Sequence, residues 1–124
     1  MSNFLNIFGE ELKQNVPGFI ACAVIEIKSG ISFFSLSVDP NFDPEIACVY
    51  NLEVAKAKIK AIKALGLDDE IQDILITLKK QIHIIDIVAN GDYMIYIAVD
   101  STNGNLGMTR SLLKKYKKSI VDQL

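Results

Sequence analysis

The sequence predicts an α/β protein of the α+β type. Three layers are expected: a five-stranded, mainly antiparallel sheet, one middle helix on one face and two terminal helices on the other. Three observations carry this. Tyr93–Asp100 reads as a strand apolar on both faces, which demands cover on both sides. Asp43-Pro44 opens a long helical pattern: a cap oxygen, then a ring with φ preset and no amide to satisfy. Ser29-Gly30 and Asn90-Gly91 are hairpin signals that favour antiparallel neighbours.

The elements follow in order. Ser2 or Asn3 can cap a first helix, with Phe4, Leu5, Phe8 and Leu12 on one side and Val16-Pro17-Gly18 as its stop. Phe19 to Lys28 is too continuously apolar for a half-exposed strand and should be central. Ser29-Gly30 reads as a two-residue hairpin. Ile31 to Ser37, with Ser32, Ser35 and Ser37, suits an edge strand. The middle helix runs to about Leu65, and Gly66 stands where a left-handed C-terminal residue is wanted. Ile71–Leu78 and Ile82–Val88 are two strands joined near Lys79-Lys80-Gln81. Asn90-Gly91 turns into Tyr93–Asp100, and a last helix spans about Leu106 to Asp122. The order is α-β-β-α-β-β-β-α, read as a single domain over 1–124.

Composition narrows the function. A net charge of −2 gives non-specific nucleic-acid binding no global electrostatic basis. No uncharged apolar run is long enough to span a membrane, and the N-terminus lacks the basic region of a signal peptide, so a cytoplasmic location is expected. Cys22 and Cys48 form neither a disulfide framework nor a zinc cluster and read as core thiols.

Catalytic and ligand chemistry is sparse. His83 is the only histidine and stands between two isoleucines, a structural setting. Asp86, between Ile85 and Ile87, fits a strand with one exposed face. Asp100-Ser101-Thr102-Asn103-Gly104 lacks a side-chain ligand at its fifth position and a glutamate at its twelfth, so it is no calcium loop. Gly104 and Gly107 lack the Gly-x-x-x-x-Gly-Lys-Ser/Thr pattern of a phosphate cradle, and packing explains them better. No enzyme activity, metal or cofactor is expected.

The middle helix is the strongest functional clue. At 100° per residue, Glu45, Lys56, Lys60 and Lys63 gather within about 60° of arc, leaving an apolar arc wider than one contact surface needs. One stripe holds Ile46, Tyr50, Val54, Ala57, Ala61 and Ala64, whose alanines would let the helix approach the sheet. The other holds Cys48, Leu52, Ala55, Ile59 and Ile62 and needs a second cover, from a terminal helix or loop or from a partner helix. In Ile71–Leu78, Ile74, Ile76 and Leu78 face one way and Asp73, Leu75, Thr77 and Lys79 the other. In the last helix, Arg110, Lys114, Lys117 and Lys118 gather opposite the buried stripe, either a solvated face or a docking patch for an acidic partner. Arg110 is the only arginine, but nothing in the sequence shows that it can reach a nucleotide.

Several residue groups resemble the Roadblock / dynein light chain family of profilin-like fold. They are Val16-Pro17-Gly18, Ile27-Lys28-Ser29-Gly30-Ile31, Asn90-Gly91-Asp92-Tyr93 and Asn105-Leu106-Gly107-Met108-Thr109-Arg110, in an order covering about Phe4 to Val121. Many members carry an acidic residue before the first hairpin glycine, where this chain has Ser29. The resemblance implies a partner-binding protein that dimerises by edge-to-edge sheet pairing and middle-helix packing. Bacterial members of the mutual-gliding-regulator type act on a Ras-like GTPase. On that reading Ile71–Leu78 is an edge strand, and the homodimer interface comprises Cys48, Leu52, Ala55, Ile59, Ile62, Ile74, Ile76 and Leu78. A profilin-like or longin-like adaptor without a GTPase partner is the alternative.

Overall fold

The computed structural model describes residues 3–124, and Asn90 by its backbone alone. The elements are α1 (Asn3–Asn15), β1 (Phe19–Glu26), β2 (Ser32–Ser37), α2 (Pro44–Ala64), β3 (Asp73–Thr77), β4 (Gln81–Val88), β5 (Tyr93–Asp100) and α3 (Leu106–Val121). This is the expected order, α-β-β-α-β-β-β-α. The five strands run β2-β1-β5-β4-β3, and every neighbouring pair is antiparallel. The proposed cap Ser2 lies outside the described residues, and Asn3 is already within α1.

Two cores sandwich the sheet. On one face Leu5, Phe8 and Leu12 of α1 and Leu113 and Ile120 of α3 meet Cys22, Val24, Ile84, Ile95 and Ile97. On the other, Cys48, Leu52 and Ala55 of α2 meet Ala23, Ile25, Ile85, Met94, Tyr96 and Ala98. β5 contributes to both, so Met94 through Val99 are all buried.

Local chemistry sets the element ends. Asp43 Oδ1 accepts from the amides of Glu45 at 2.9 Å and Ile46 at 3.2 Å, capping α2. At its far end Gly66 adopts φ 68°, and Leu67 N donates to Ile62 O while Gly66 N donates to Lys63 O. That paired closure absorbs carbonyls the helix leaves free. Asn105 caps α3 by accepting from Met108 N at 2.9 Å.

Two turns differ from expectation. The first hairpin is not a two-residue turn: Ile27–Ile31 connects β1 to β2, closed by Gly30 N to Glu26 O at 2.8 Å. The last is a 3-10 turn over Ala89–Gly91, in which Ala89 takes φ 54°.

Candidate protein-interaction surfaces

The two apolar stripes of α2 lie opposite to expectation. Cys48, Leu52 and Ala55 are buried against the sheet, with Ile59 packed beside them, and Ile62 is half-buried. Cys48, Leu52 and Ala55 line the core, not a partner-facing surface, whereas Ile59 and Ile62 border an open cleft. The outward stripe is the one expected to face the sheet: Ile46 is 57% exposed, Tyr50 73% and Val54 39%, with Val49 alongside at 53%. The physical reason lies in the sheet. Ala23 of β1 and Ala98 of β5 supply the room for close approach, so the helix can present Leu52 there and turn Ala57 and Ala64 outward.

β3 is an edge strand, as expected. Ile74 and Ile76 pack on the α2-side core, while Leu75 and Leu78 stand exposed. Leu78 N donates to Gln81 O, and Ile87 N donates to Gln72 O. In an antiparallel ladder these directions alternate, so Asp73, Leu75 and Thr77 aim their N–H and C=O groups at the open edge.

The cationic quartet of the last helix is split. Arg110 donates from Nε and Nη2 to the two oxygens of Asp73 at 2.9 and 2.8 Å. Lys117 Nζ lies 2.9 and 3.1 Å from the oxygens of Asp86. Both are therefore engaged within the chain, and Lys114 and Lys118 remain exposed. The clamp has a clear cause. Asp73 and Asp86 are directly opposed on β3 and β4, where like charges repel, and α3 sets one cation on each. Asp86 is not on an exposed face: it is buried beneath α3. Burial pushes its carboxyl above the ordinary value, against the opposing pull of the Lys117 hydrogen bond and charge. Beside this clamp a cleft of about 690 Å³ opens between Ile59, Ile62, Ile71 and Lys114.

His83 is structural. Its Nδ1 accepts from the hydroxyl of buried Tyr96 at 3.1 Å, and Nε2 donates to Gln81 Oε1 at 2.8 Å, as the neutral Nε2–H tautomer allows. Burial holds its pKa below the usual histidine value, consistent with that neutral ring. Burial also pushes both cysteine thiols up to about 12, so neither is a ready nucleophile. Among the described residues, no group of three or more His, Cys, Asp and Glu side chains could hold a metal ion. The Asp100–Gly104 loop is self-capped: Asp100 accepts from Thr102 N and Asn103 Nδ2. A Cβ at Gly104 would lie 2.5 Å from Asp100 O, so close packing requires that glycine.

No protein-family model matches the sequence, and no curated protein sequence matches it significantly. Solved structures do match. MglB of Myxococcus xanthus superposes with a TM-score of 0.81 at 13% identity, over 98% of this chain and 94% of that one. A Roadblock/LC7 domain from Streptomyces avermitilis gives 0.79 at 11% identity, over 92% of each chain. Gliding protein MglB from Thermus thermophilus gives 0.78 at 16% identity, over 98% and 90%.

The fold is that of Roadblock/LC7 domains, of MglB-like form.

Within this Roadblock/LC7 fold, the residues expected to share one interface separate into two sets. Leu78 stands at the open edge, with Ile74 and Ile76 on its inner side, whereas Cys48, Leu52 and Ala55 are core. Ile46, Val49, Tyr50 and Val54 take the outward position on α2. The Asp73–Arg110 and Asp86–Lys117 pairs were not foreseen. Their one sequence signal is that Arg110 and Lys117 stand two helical turns apart on one face, matching two acids on neighbouring strands.

Proposed function

We propose that residues 1–124 form one Roadblock-like domain that acts, without catalysis, as a cytoplasmic homodimeric regulator or scaffold for a Ras-like small GTPase. One observation carries the reading: an apolar stripe on α2, centred on Tyr50, is left exposed on a chain whose β3 edge is also open. A helix in a folded monomer does not gain by presenting Ile46, Val49, Tyr50 and Val54 to water. Burying such a side chain fully is worth about 1.5–3 kcal/mol. The likeness to MglB supports the GTPase as partner. One solved MglB, which this chain matches with a TM-score of 0.79 at 16% identity, is described with a tetrameric arrangement, in keeping with an assembling fold. Among the described residues, no helix is long and apolar enough to cross a membrane.

Light scattering after size exclusion should return a dimer mass; a monomer at micromolar concentration removes the dimer. Tyr50→Asp should yield a folded monomer. Leu52→Asp, on the sheet-facing side of the same helix, should lose folding, because it buries an unpaired charge. The immobilised protein should capture a small GTPase from lysate more strongly with one nucleotide than the other. Equal recovery of the same partners with GTP analogue and GDP favours the adaptor reading instead.

A further inference from the structure

The cleft beside the ion-pair clamp holds about 690 Å³, within the range of pockets that take a ligand or a short segment of chain. Its apolar lining is Ile59, Ile62, Ile71 and Ile87, all half-buried. Its charges are sorted by element. α3 contributes only cations, Arg110, Lys114 and Lys117, and the loop before β3 contributes the acids Asp69 and Glu70. The clamp already uses Arg110 on Asp73 and Lys117 on Asp86, so Lys114 is the cation that α3 leaves open. On the other side Lys63, at the end of α2, offsets one of the two loop acids in net charge. The lining is therefore balanced, yet its open charges are separated. They are positive on α3 and net negative where α2 runs into the loop.

That separation decides the occupant. A fatty acid or a nucleotide offers negative charge alone and would meet Asp69 and Glu70. The Arg110 fork, the group best suited to a phosphate, is held by Asp73 through two hydrogen bonds. A segment of protein chain can carry both signs with aliphatic side chains between them. Gln72, exposed on the lining, offers an amide that both donates and accepts, as a peptide backbone requires.

We propose that this cleft binds a short extended segment of a partner protein. Its aliphatic residues sit on the isoleucines, an acidic residue meets Lys114, and a basic residue meets Asp69 and Glu70. The proposal does not rest on the homodimer reading and stands whether or not the chain dimerises. Rim charges of this kind select among partners, while the buried aliphatic contacts supply most of the affinity.

Three labelled peptides with blocked termini test this: Glu-Leu-Ile-Leu-Lys, the same core with glutamate at both ends, and the same core with lysine at both ends. Fluorescence anisotropy at low salt should rank the mixed peptide first on the unaltered chain, by about threefold or more. Lys114→Glu should move the preference to the lysine-ended peptide. Asp69→Lys with Glu70→Lys should move it to the glutamate-ended one. These three side chains are exposed, and a thermal melt confirms that each variant folds. Ile71→Asp should weaken all three peptides together, by about tenfold or more. Preferences that ignore the charge reversals, or no saturable binding of any peptide at millimolar concentration, would overturn the proposal. Octanoate binding more tightly than the mixed peptide would overturn it in favour of a site for amphipathic anions. Peptide affinity that falls as the protein is concentrated would overturn it in favour of a second copy in the cleft.

Discussion

The sheet ends in two edges, and the chain treats them differently. β2 is finished within the chain. Every residue from Ser32 to Ser37 is at least half-shielded, with α1 packed on one side and the start of α2 on the other. Its pairing with β1 is broken by a bulge at Val24/Ile25, and Ser35 turns its hydroxyl to Glu45. Bulges, serines and flanking helices are the devices that discourage a further strand from adding. β3 has few of them. It pairs with β4 in unbroken register, presents Leu75 and Leu78 to solvent, and is tied to the rest chiefly by β4 and the Arg110–Asp73 bridge. The contrast teaches where to look for a partner: at the edge the sequence leaves regular and apolar.

The largest effect expected is on backbone pairing itself. Proline at an outward-pointing edge position removes a free N–H without disturbing the inner ladder. Leu75→Pro should therefore keep the fold and weaken dimerisation by about 3 kcal/mol or more, roughly a hundredfold. Ser35→Pro, at the equivalent outward position of β2, should leave the molecular mass unchanged. If both variants dimerise alike, the two edges do not differ in the way their geometry indicates. Mass by light scattering over a dilution series separates these outcomes.

Next come the cations that anchor β3 and β4 to α3. Lys117→Met leaves the buried Asp86 carboxylate unpaired and should cost about 2–3 kcal/mol, read as a lowered Tm. Arg110→Ala acts on a more exposed pair, with the arginine side chain 44% accessible, so solvent screening holds its cost to about 1 kcal/mol or less. Its clearer signature is local. Amide exchange should quicken in Asp73–Thr77 and stay unchanged in Ser32–Ser37. Equal quickening at both edges would show that the bridge stabilises the sheet generally rather than β3.

The two edges were unequally legible in the sequence. Ser32, Ser35 and Ser37 announced β2 as an edge, and the doubly apolar Tyr93–Asp100 announced a covered centre. The α2 cap was readable because a cap residue acts locally, and the places of the hairpins were readable though their turn geometries were not. The orientation of α2 was not, because both its stripes are apolar. What chose between them was Ala23 and Ala98, residues from two distant strands brought under the helix by the fold. The Arg110–Asp73 and Lys117–Asp86 pairs were hidden for the same reason. Their partners lie 37 and 31 positions apart, and only the β3–β4 register brings the two acids face to face.

The smallest expected effect is acid sensitivity confined to the β3 side. His83 is paired in register with Ile76 of β3, whereas Ser32–Ser37 contains no titratable side chain. Burial lowers the folded-state pKa of His83 from its ordinary 6.5, so the folded chain binds fewer protons than the unfolded one between the two values. The stability this neutral imidazole contributes is present above about pH 6.5, and falls away as the pH drops from there through the lowered folded value. Acidification to pH 5 should loosen Asp73–Val88 in amide exchange, corrected for intrinsic rates, more than Phe19–Ser37. His83→Phe deprives Tyr96 of its hydroxyl partner and should lower Tm at every pH, while removing this contribution to the slope below pH 6.5. If the variant keeps the full slope, another group carries the acid response, and the titrating difference between the two edges disappears.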